Sequence, residues 1–284
     1  MKKSVLVILG PTATGKSRLA VKLAKKFNGE IISADSRQVY KNLNIGSGKI
    51  SEKDKRGIPH YLLDVAEPKH KFTVTEYKKL ADEKIEQILL RDKVPILCGG
   101  TAFYIDAVTK GIIFPEVPPN KKLRAGLEKK SAEVLYNILK ILDKRRAENI
   151  DIKNRVRIIR AIEIAKSLGK VPEQRQQKPK YKFIFVGLNL PNGELRKKIS
   201  KRVDEMFKGG LLKEIKNLKK SGISDKRLRE FGFEYFEPTP EKVINESIKY
   251  TKRQNTWWKK DKRIKWFSPK DFKMIESYIS KELP

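Results

Sequence analysis

The chain has 284 residues, with 65 Lys and Arg against 34 Asp and Glu, a formal net charge of +31. That length builds one large domain or two modest ones around a substantial core, and the cationic excess goes beyond what solubility asks for, so RNA, DNA or an anionic membrane is the expected partner unless the charges are only solvated faces. Cys98 is the single cysteine, which excludes an intrachain disulfide and a cysteine-based zinc site and suits a reducing compartment.

In chain order, Met1-Lys2-Lys3 precedes an apolar run, Val5 to Leu9, that stops at Gly10-Pro11 and is too short for a secretory h-region. No other stretch approaches the ~18 consecutive apolar residues of a membrane span. The expectation is a soluble, cytoplasmic protein, and nothing in the sequence asks for more than a monomer. The next residues, Gly10-Pro11-Thr12-Ala13-Thr14-Gly15-Lys16-Ser17, fit GxxxxGK followed by Ser, between that strand and a helical run from Arg18 to Lys25. Such a strand, loop and helix turns backbone N–H groups and a helix dipole onto a polyphosphate. Lys16 then supplies a mobile charge for the terminal phosphate, and the Ser17 hydroxyl is placed to ligate Mg²⁺.

A turn at Asn28-Gly29 leads to a short buried strand, Glu30 to Ala34, that ends at Asp35-Ser36-Arg37-Gln38-Val39-Tyr40. In doubly wound sheets neighbouring strand ends open onto one crevice, so Asp35 should face the phosphate loop, as a proton acceptor or a metal-water ligand, or else as a helix N-cap. Residues 42–55, with Gly46-Ser47-Gly48-Lys49, read as a loop near the substrate. Residues 58–65 read as a third strand whose His60 is structural, 72–91 as a helix, and 94–98 as a fourth strand in which Cys98 is a core thiol. Gly99-Gly100-Thr101 follows at a strand end, so Thr101 either donates to substrate or caps the next helix.

Between residues 114 and 179 prolines bracket a segment without strand pattern, with helical runs over 121–130, 132–142 and 154–168. It reads as a helical insertion, 114–179, in a core of 1–113 and 180–284. Lys153, Arg157 and Arg160 fall at i, i+4 and i+7, a cationic stripe suited to a phosphate backbone. A strand pattern returns at 181–188. In the helix over 194–208, Arg202 shares the apolar face of Leu195, Ile199 and Met206. A buried guanidinium needs an anion, from an internal Asp or Glu or from a substrate pyrophosphate. A further helix covers 211–220, and a long one from about Glu241 carries Lys252, Arg253 and Gln254 with Tyr250, Trp257 and Trp258, a mixture of cations and aromatics that suits unpaired RNA.

Taken together, Gly-Pro-Thr-Ala-Thr-Gly-Lys-Ser at 10–17, Asp-Ser-Arg-Gln-Val-Tyr at 35–40, Gly-Ile-Pro-His at 57–60, Gly-Gly-Thr at 99–101, Arg-Ala-Ile-Glu at 160–163, Arg-Val-Asp-Glu-Met at 202–206 and Lys-Arg-Gln-Asn-Thr-Trp at 252–257 resemble the bacterial tRNA dimethylallyltransferases, the isopentenyl-pyrophosphate transferase family. The resemblance implies a P-loop-like parallel sheet flanked by helices, with an all-helical insertion that clasps the anticodon stem-loop. It implies that the loop holds dimethylallyl diphosphate with Mg²⁺, that Asp35 is the general base toward the N6 amine of an everted adenosine beside the anticodon, and that Thr101 and Arg202 serve the same reaction. By the same resemblance Ser36, Arg37, Gln38, Arg124, Ile159, Arg160, Ala161, Ile162 and Glu163 fall where the family meets tRNA. The chain departs from the family pattern at Ala102, at Gly46-Ser47-Gly48-Lys49 and at Asn154. A nucleotide kinase, a free-nucleotide prenyltransferase and a nucleic-acid-binding protein with a regulatory nucleotide site are the rival readings. The first two leave the charge unexplained, and the third leaves Thr101 and Arg202 without a role.

Overall fold

The structure, a computed structural model, describes residues 3–283; Met1 and Lys2 of the charged start noted above lie outside it. Two compact units divide the chain, Met1–Gly111 with Lys178–Pro284, and Ile112–Gln177.

The first unit is built on six parallel strands: β1 (Ser4–Leu9), β2 (Gly29–Ala34), β3 (His60–Tyr61), β4 (Val94–Gly99), β5 (Lys182–Leu188) and β6 (Lys265–Phe267). Their order is β3-β2-β4-β1-β5-β6, so β1 lies inside the sheet with β4 and β5 beside it. Near-continuous apolar strands suit a sheet covered on both faces, and the alternation along β1 divides its side chains. Val5, Val7 and Leu9 enter one core; Leu6 and Ile8 enter the other. On the second face lies α1 (Lys16–Lys26), through Leu19, Ala20 and Leu23. The single-turn α2 (Glu52–Lys55) buries none of its residues, whereas α3 (Val74–Leu90), opened by a full capping box between Thr73 and Glu76, and α4 (Ala102–Thr109) cover the first face.

The second unit holds α5 (Lys121–Leu127), α6 (Ala132–Leu142), α7 (Lys144–Glu148) and α8 (Arg155–Leu168) around Leu135, Leu139, Ile158 and Ile162. The chain then returns to the first unit for β5, α9 (Asn192–Lys208), α10 (Leu211–Lys220), α11 (Asp225–Phe231), α12 (Pro240–Trp258), β6 and α13 (Phe272–Glu282). No helix of the described residues is long and apolar enough to cross a membrane.

Three sequence readings are corrected. The strand over 58–65 shrinks to His60–Tyr61, because Leu62 and Asp64 take left-handed backbone angles (φ 62° and 57°) that end extension. The helix read over 121–130 stops at Leu127, where Glu128 caps it and the Lys130 N–H turns back to Leu127 O. Lys153 precedes α8 instead of joining its stripe: Asn154 is the N-cap, its side chain accepting from the Arg157 N–H. Both β6 and α13 escaped the sequence reading altogether.

Within the second unit, Glu163 is 2 % exposed yet charged. Burial pushes its carboxyl up, but hydrogen bonds from Arg124, Arg160 and the Asn120 N–H outweigh burial and hold it down at about 2. A carboxyl lowered from 4.5 stabilises the fold above that value and loses the contribution as pH falls toward 2. Glu163→Ala leaves two guanidiniums against the core, each about a third exposed. The expected cost is about 3 kcal/mol, at the low end for breaking a buried pair because solvent screens both partners. A urea-unfolding midpoint unchanged from wild type at pH 7 would refute this.

Candidate active site

The parallel register sets the strand ends level. Leu9 of β1 and Ala34 of β2 both lie opposite Gly99 of β4, so the loop after β1, the turn after β2 and the turn after β4 share one rim. This is where open α/β sheets bind ligands. At the rim, Gly10 has φ 144° and lies against the backbone of Leu188, which leaves no room for a Cβ. The Thr14 hydroxyl donates to Pro11 O at 2.8 Å, closing the phosphate loop on itself, and Gly15, also left-handed, opens α1.

Three ties join the rim. Thr101 occupies the N-cap position of α4 but makes no side-chain cap; its Oγ1 instead accepts the Ser36 N–H at 2.9 Å. Asp35 Oδ1 accepts the N–H groups of Arg37 (2.8 Å) and Gln38 (3.3 Å), and no hydrogen bond among the described residues reaches Oδ2. The cap and the free oxygen thus coexist in one carboxylate. Gln254 of α12 is the third tie: its Oε1 accepts the Thr12 N–H (3.1 Å) and its Nε2 donates to Gly100 O (2.8 Å). At 4 % exposure, Gln254 is an internal brace.

Thr12, Lys16, Asp35, Gln38, Arg202 and Gln254 line one cavity of about 620 Å³, within the usual range for a small-molecule site. Arg202 donates to Thr12 Oγ1 (3.0 Å) and Ser47 O (3.4 Å), both neutral acceptors. Among the described residues it has no salt bridge; Glu234, Asp35 and Glu205 favour its charge only from beyond ion-pair distance, so the internal carboxylate allowed for in the sequence is near but not paired with it. Burial lowers its guanidinium from the usual value, and burial with Arg202 nearby lowers Lys16 to about 8, the Lys16 Nζ donating to Pro11 O at 2.6 Å. The same environment pushes the Cys98 thiol up to about 12, as a buried core thiol requires, and pushes the Glu234 carboxyl up to about 7 against the pull of Arg37 and Arg202.

Gln38 donates to Ser47 O (3.4 Å) and Gly48 O (3.3 Å). The loop carrying those carbonyls is clamped from behind by a residue the sequence reading passed over. Glu214 of α10 accepts the N–H groups of Asn44, Ile45 and Gly46 at 2.8–3.1 Å and the Tyr235 hydroxyl at 3.0 Å. A glutamate in a basic amphipathic helix offers no local pattern that would reveal this. Lys49 is also used internally, on Tyr40 O, Asn44 Oδ1 and Asp64 Oδ1. His60 bonds Ile58 O through Nδ1 on edge strand β3 and does not line the cavity.

Of the other candidates, Lys252 and Arg253 are exposed on α12, and Arg157 is exposed on α8 in the second unit. Ile159, Ala161 and Ile162 are core side chains of that unit, and Arg124 and Arg160 are paired with Glu163.

The IPP transferase family model matches residues 38–261. The chain belongs to the IPP transferase family. It is 39% identical to the tRNA dimethylallyltransferase of Halothermothrix orenii over 98% of this chain and 92% of that protein, and 38% identical to that of Anoxybacillus flavithermus over 100% and 96%. Among solved structures of IPP transferases it resembles the full-length tRNA isopentenylpyrophosphate transferase of Bacillus halodurans (TM-score 0.73, 31% identity, 99% of this chain and 97% of that one). It also resembles a eukaryotic dimethylallyltransferase acting on tRNA (TM-score 0.83, 28% identity, 99% and 77%).

Because Lys16 sits near 8, its charge is present below that pH and lost above it. Affinity for inorganic pyrophosphate is therefore expected to fall as pH rises from 7 to 9, approaching tenfold per pH unit above 8 if only the ammonium binds. Titration calorimetry in buffers of different ionisation heat should record proton uptake on binding at the upper end. Lys16→Arg, which stays charged, should flatten the profile; an affinity independent of pH in wild type would contradict the assignment.

Proposed function

We propose that the protein transfers a dimethylallyl group from dimethylallyl diphosphate to the exocyclic N6 of the adenosine on the 3′ side of the anticodon in tRNA, releasing pyrophosphate. The observation that carries this is Arg202: a cavity-facing guanidinium with neutral partners only, beside a phosphate loop and across from a carboxylate with one open oxygen. An unpaired cation in such a place calls for an anionic ligand. The net charge of +31 and the tRNA-acting relatives support RNA as the acceptor.

The chemistry has two difficulties, and the residues divide between them. The bond from the allylic carbon to oxygen breaks with its electron pair going to the diphosphate, so negative charge grows on the leaving group. Lys16, Arg202 and the N–H groups of residues 13–17 stabilise that charge from fixed positions. A new bond forms between N6 and the allylic carbon, and the amine must lose a proton. Asp35, which lines the cavity, takes it: Oδ1 is held by two backbone N–H groups, and Oδ2 has no hydrogen bond among the described residues. Thr101, hydrogen-bonded to Ser36, fixes the junction between the two halves.

Mg²⁺ fits the residues present. Ser17 and Asp35 line the cavity with the phosphate loop, and an ion that keeps water and substrate phosphate oxygens as most of its ligands needs few from the protein. Ser17 would hold it, and the ion supplies charge neutralisation to the leaving diphosphate. Cations exposed on both units, among them Arg157, Lys252 and Arg253, are assigned to the RNA backbone, with Gln38 and Arg37 nearer the base.

Radiolabelled dimethylallyl diphosphate should transfer label to an anticodon stem-loop with adenosine at that position. Transfer of phosphate from ATP to a small acceptor, with no labelled RNA, would point to a kinase instead. Asp35→Asn should lower kcat by about 10²–10⁴, the usual worth of a general base, with RNA affinity within a fewfold of wild type. A kcat near wild type would leave Asp35 only its capping role.

A further inference from the structure

The helix that braces the cavity also carries a row of side chains outward from it. On α12, Tyr250, Arg253 and Trp257 stand at i, i+3 and i+7, a single helical face. Tyr250 lines the cavity, its hydroxyl 3.5 Å from Gly100 O. The Arg253 guanidinium lies 5.7 Å over the Tyr250 ring. One turn farther, Trp257 meets Phe103 edge to face, ring centroids 6.5 Å apart, and each of these rings is 42 % exposed. Phe103 belongs to the first turn of α4, two residues after Thr101, so the outer end of the row starts beside the rim as well.

Single exposed aromatics are ordinary, but Trp257 is held. Its indole N–H donates to Asp106 Oδ2 at 2.9 Å, and Lys110 neutralises that same oxygen, also at 2.9 Å. An oriented ring that keeps a face in solvent, in line with a guanidinium and a second aromatic, matches the chemistry of a base-stacking platform: rings for the π-faces and a planar cation for stacking and phosphate. The reaction steps above use neither Trp257 nor Phe103.

We infer that Tyr250, Arg253, Trp257 and Phe103 form a track for the unpaired RNA nucleotides that flank the everted adenosine, stacking their bases while the acceptor base enters the cavity. This rests on the RNA-acceptor reading. The occupant is single-stranded RNA because the row is continuous with the cavity mouth and lies on a chain of charge +31. Everting one base from an anticodon loop unstacks its neighbours, and a protein surface that restacks them offsets that loss.

The test uses the full chain and an anticodon stem-loop RNA carrying 2-aminopurine beside the acceptor adenosine. Wild type should quench the probe. Trp257→Ala and Phe103→Ala should weaken RNA binding by about five- to a hundredfold, the factor expected for a lost base–aromatic stack. That factor should be the same at about 50 and 200 mM salt, because no counterion contact is removed. Arg253→Ala should instead make the salt dependence shallower by about one ion. Trp257→Phe, which keeps a ring but loses the tie to Asp106, should fall between wild type and Trp257→Ala. Inorganic pyrophosphate affinity, unchanged throughout, verifies that each variant is folded. RNA affinity within twofold of wild type for both Trp257→Ala and Phe103→Ala overturns the inference. So does a wild-type chain that self-associates through this face and is made monomeric by Trp257→Ala with RNA binding intact. Failure of wild type to prenylate any RNA would instead remove the function reading itself.

Discussion

Level strand ends are the constraint on which the site depends. Parallel pairing of β2 with β4 and of β4 with β1 puts Ala34, Gly99 and Leu9 at one height, so three loops far apart in sequence leave the sheet side by side. Parallel strands hydrogen-bond in fixed register and their crossovers run on the helical faces, which leaves the carboxyl rim clear for a ligand. The ties across that rim, Thr101 to Ser36 and Gln254 to Thr12 and Gly100, then make it one rigid surface. Rigid donors need no reorganisation when charge develops, the condition for electrostatic catalysis.

The rim holds cations that make no ion pair, although Asp35 and Glu205 line the same cavity. Lys16 and Arg202 face the same space, burial and Arg202 weaken the hold of Lys16 on its proton, burial lowers Arg202, and Arg202 donates only to oxygen atoms of neutral groups. Burying such cations without an ion pair is costly, and the proposed diphosphate would offset that cost. The loop over 43–49 holds part of that arrangement, and its own hold comes from Glu214 and Tyr235, neither of which lines the cavity. Support of this kind, from behind the cavity wall, sets where Ser47 O meets Arg202.

Charge is used differently in the second unit. There Glu163 gathers Arg124, Arg160 and the Asn120 N–H inside a small core, a network that stabilises helix packing. The residues of α8 that resemble family tRNA positions are therefore of two kinds: Arg157 is open to solvent, whereas Ile159, Ala161 and Ile162 shape the helix from within.

Local sequence fixed what depends on neighbours in the chain. The phosphate loop, the strands β1, β2, β4 and β5, the helices α9 and α12, and the choice of Lys16, Asp35, Thr101 and Arg202 as candidates all follow from periodicity and motif, because backbone geometry over five to fifteen residues is set by those residues. Tertiary structure decided the rest. Whether Thr101 caps its helix or bonds Ser36, whether Arg202 finds a carboxylate, that Gln254 turns inward while Arg253 stays out, and that three-residue β6 completes the sheet are outcomes of contacts between segments more than 60 residues apart. No one-dimensional pattern carries them, since each depends on which partner the fold delivers to a side chain already equally able to make either bond.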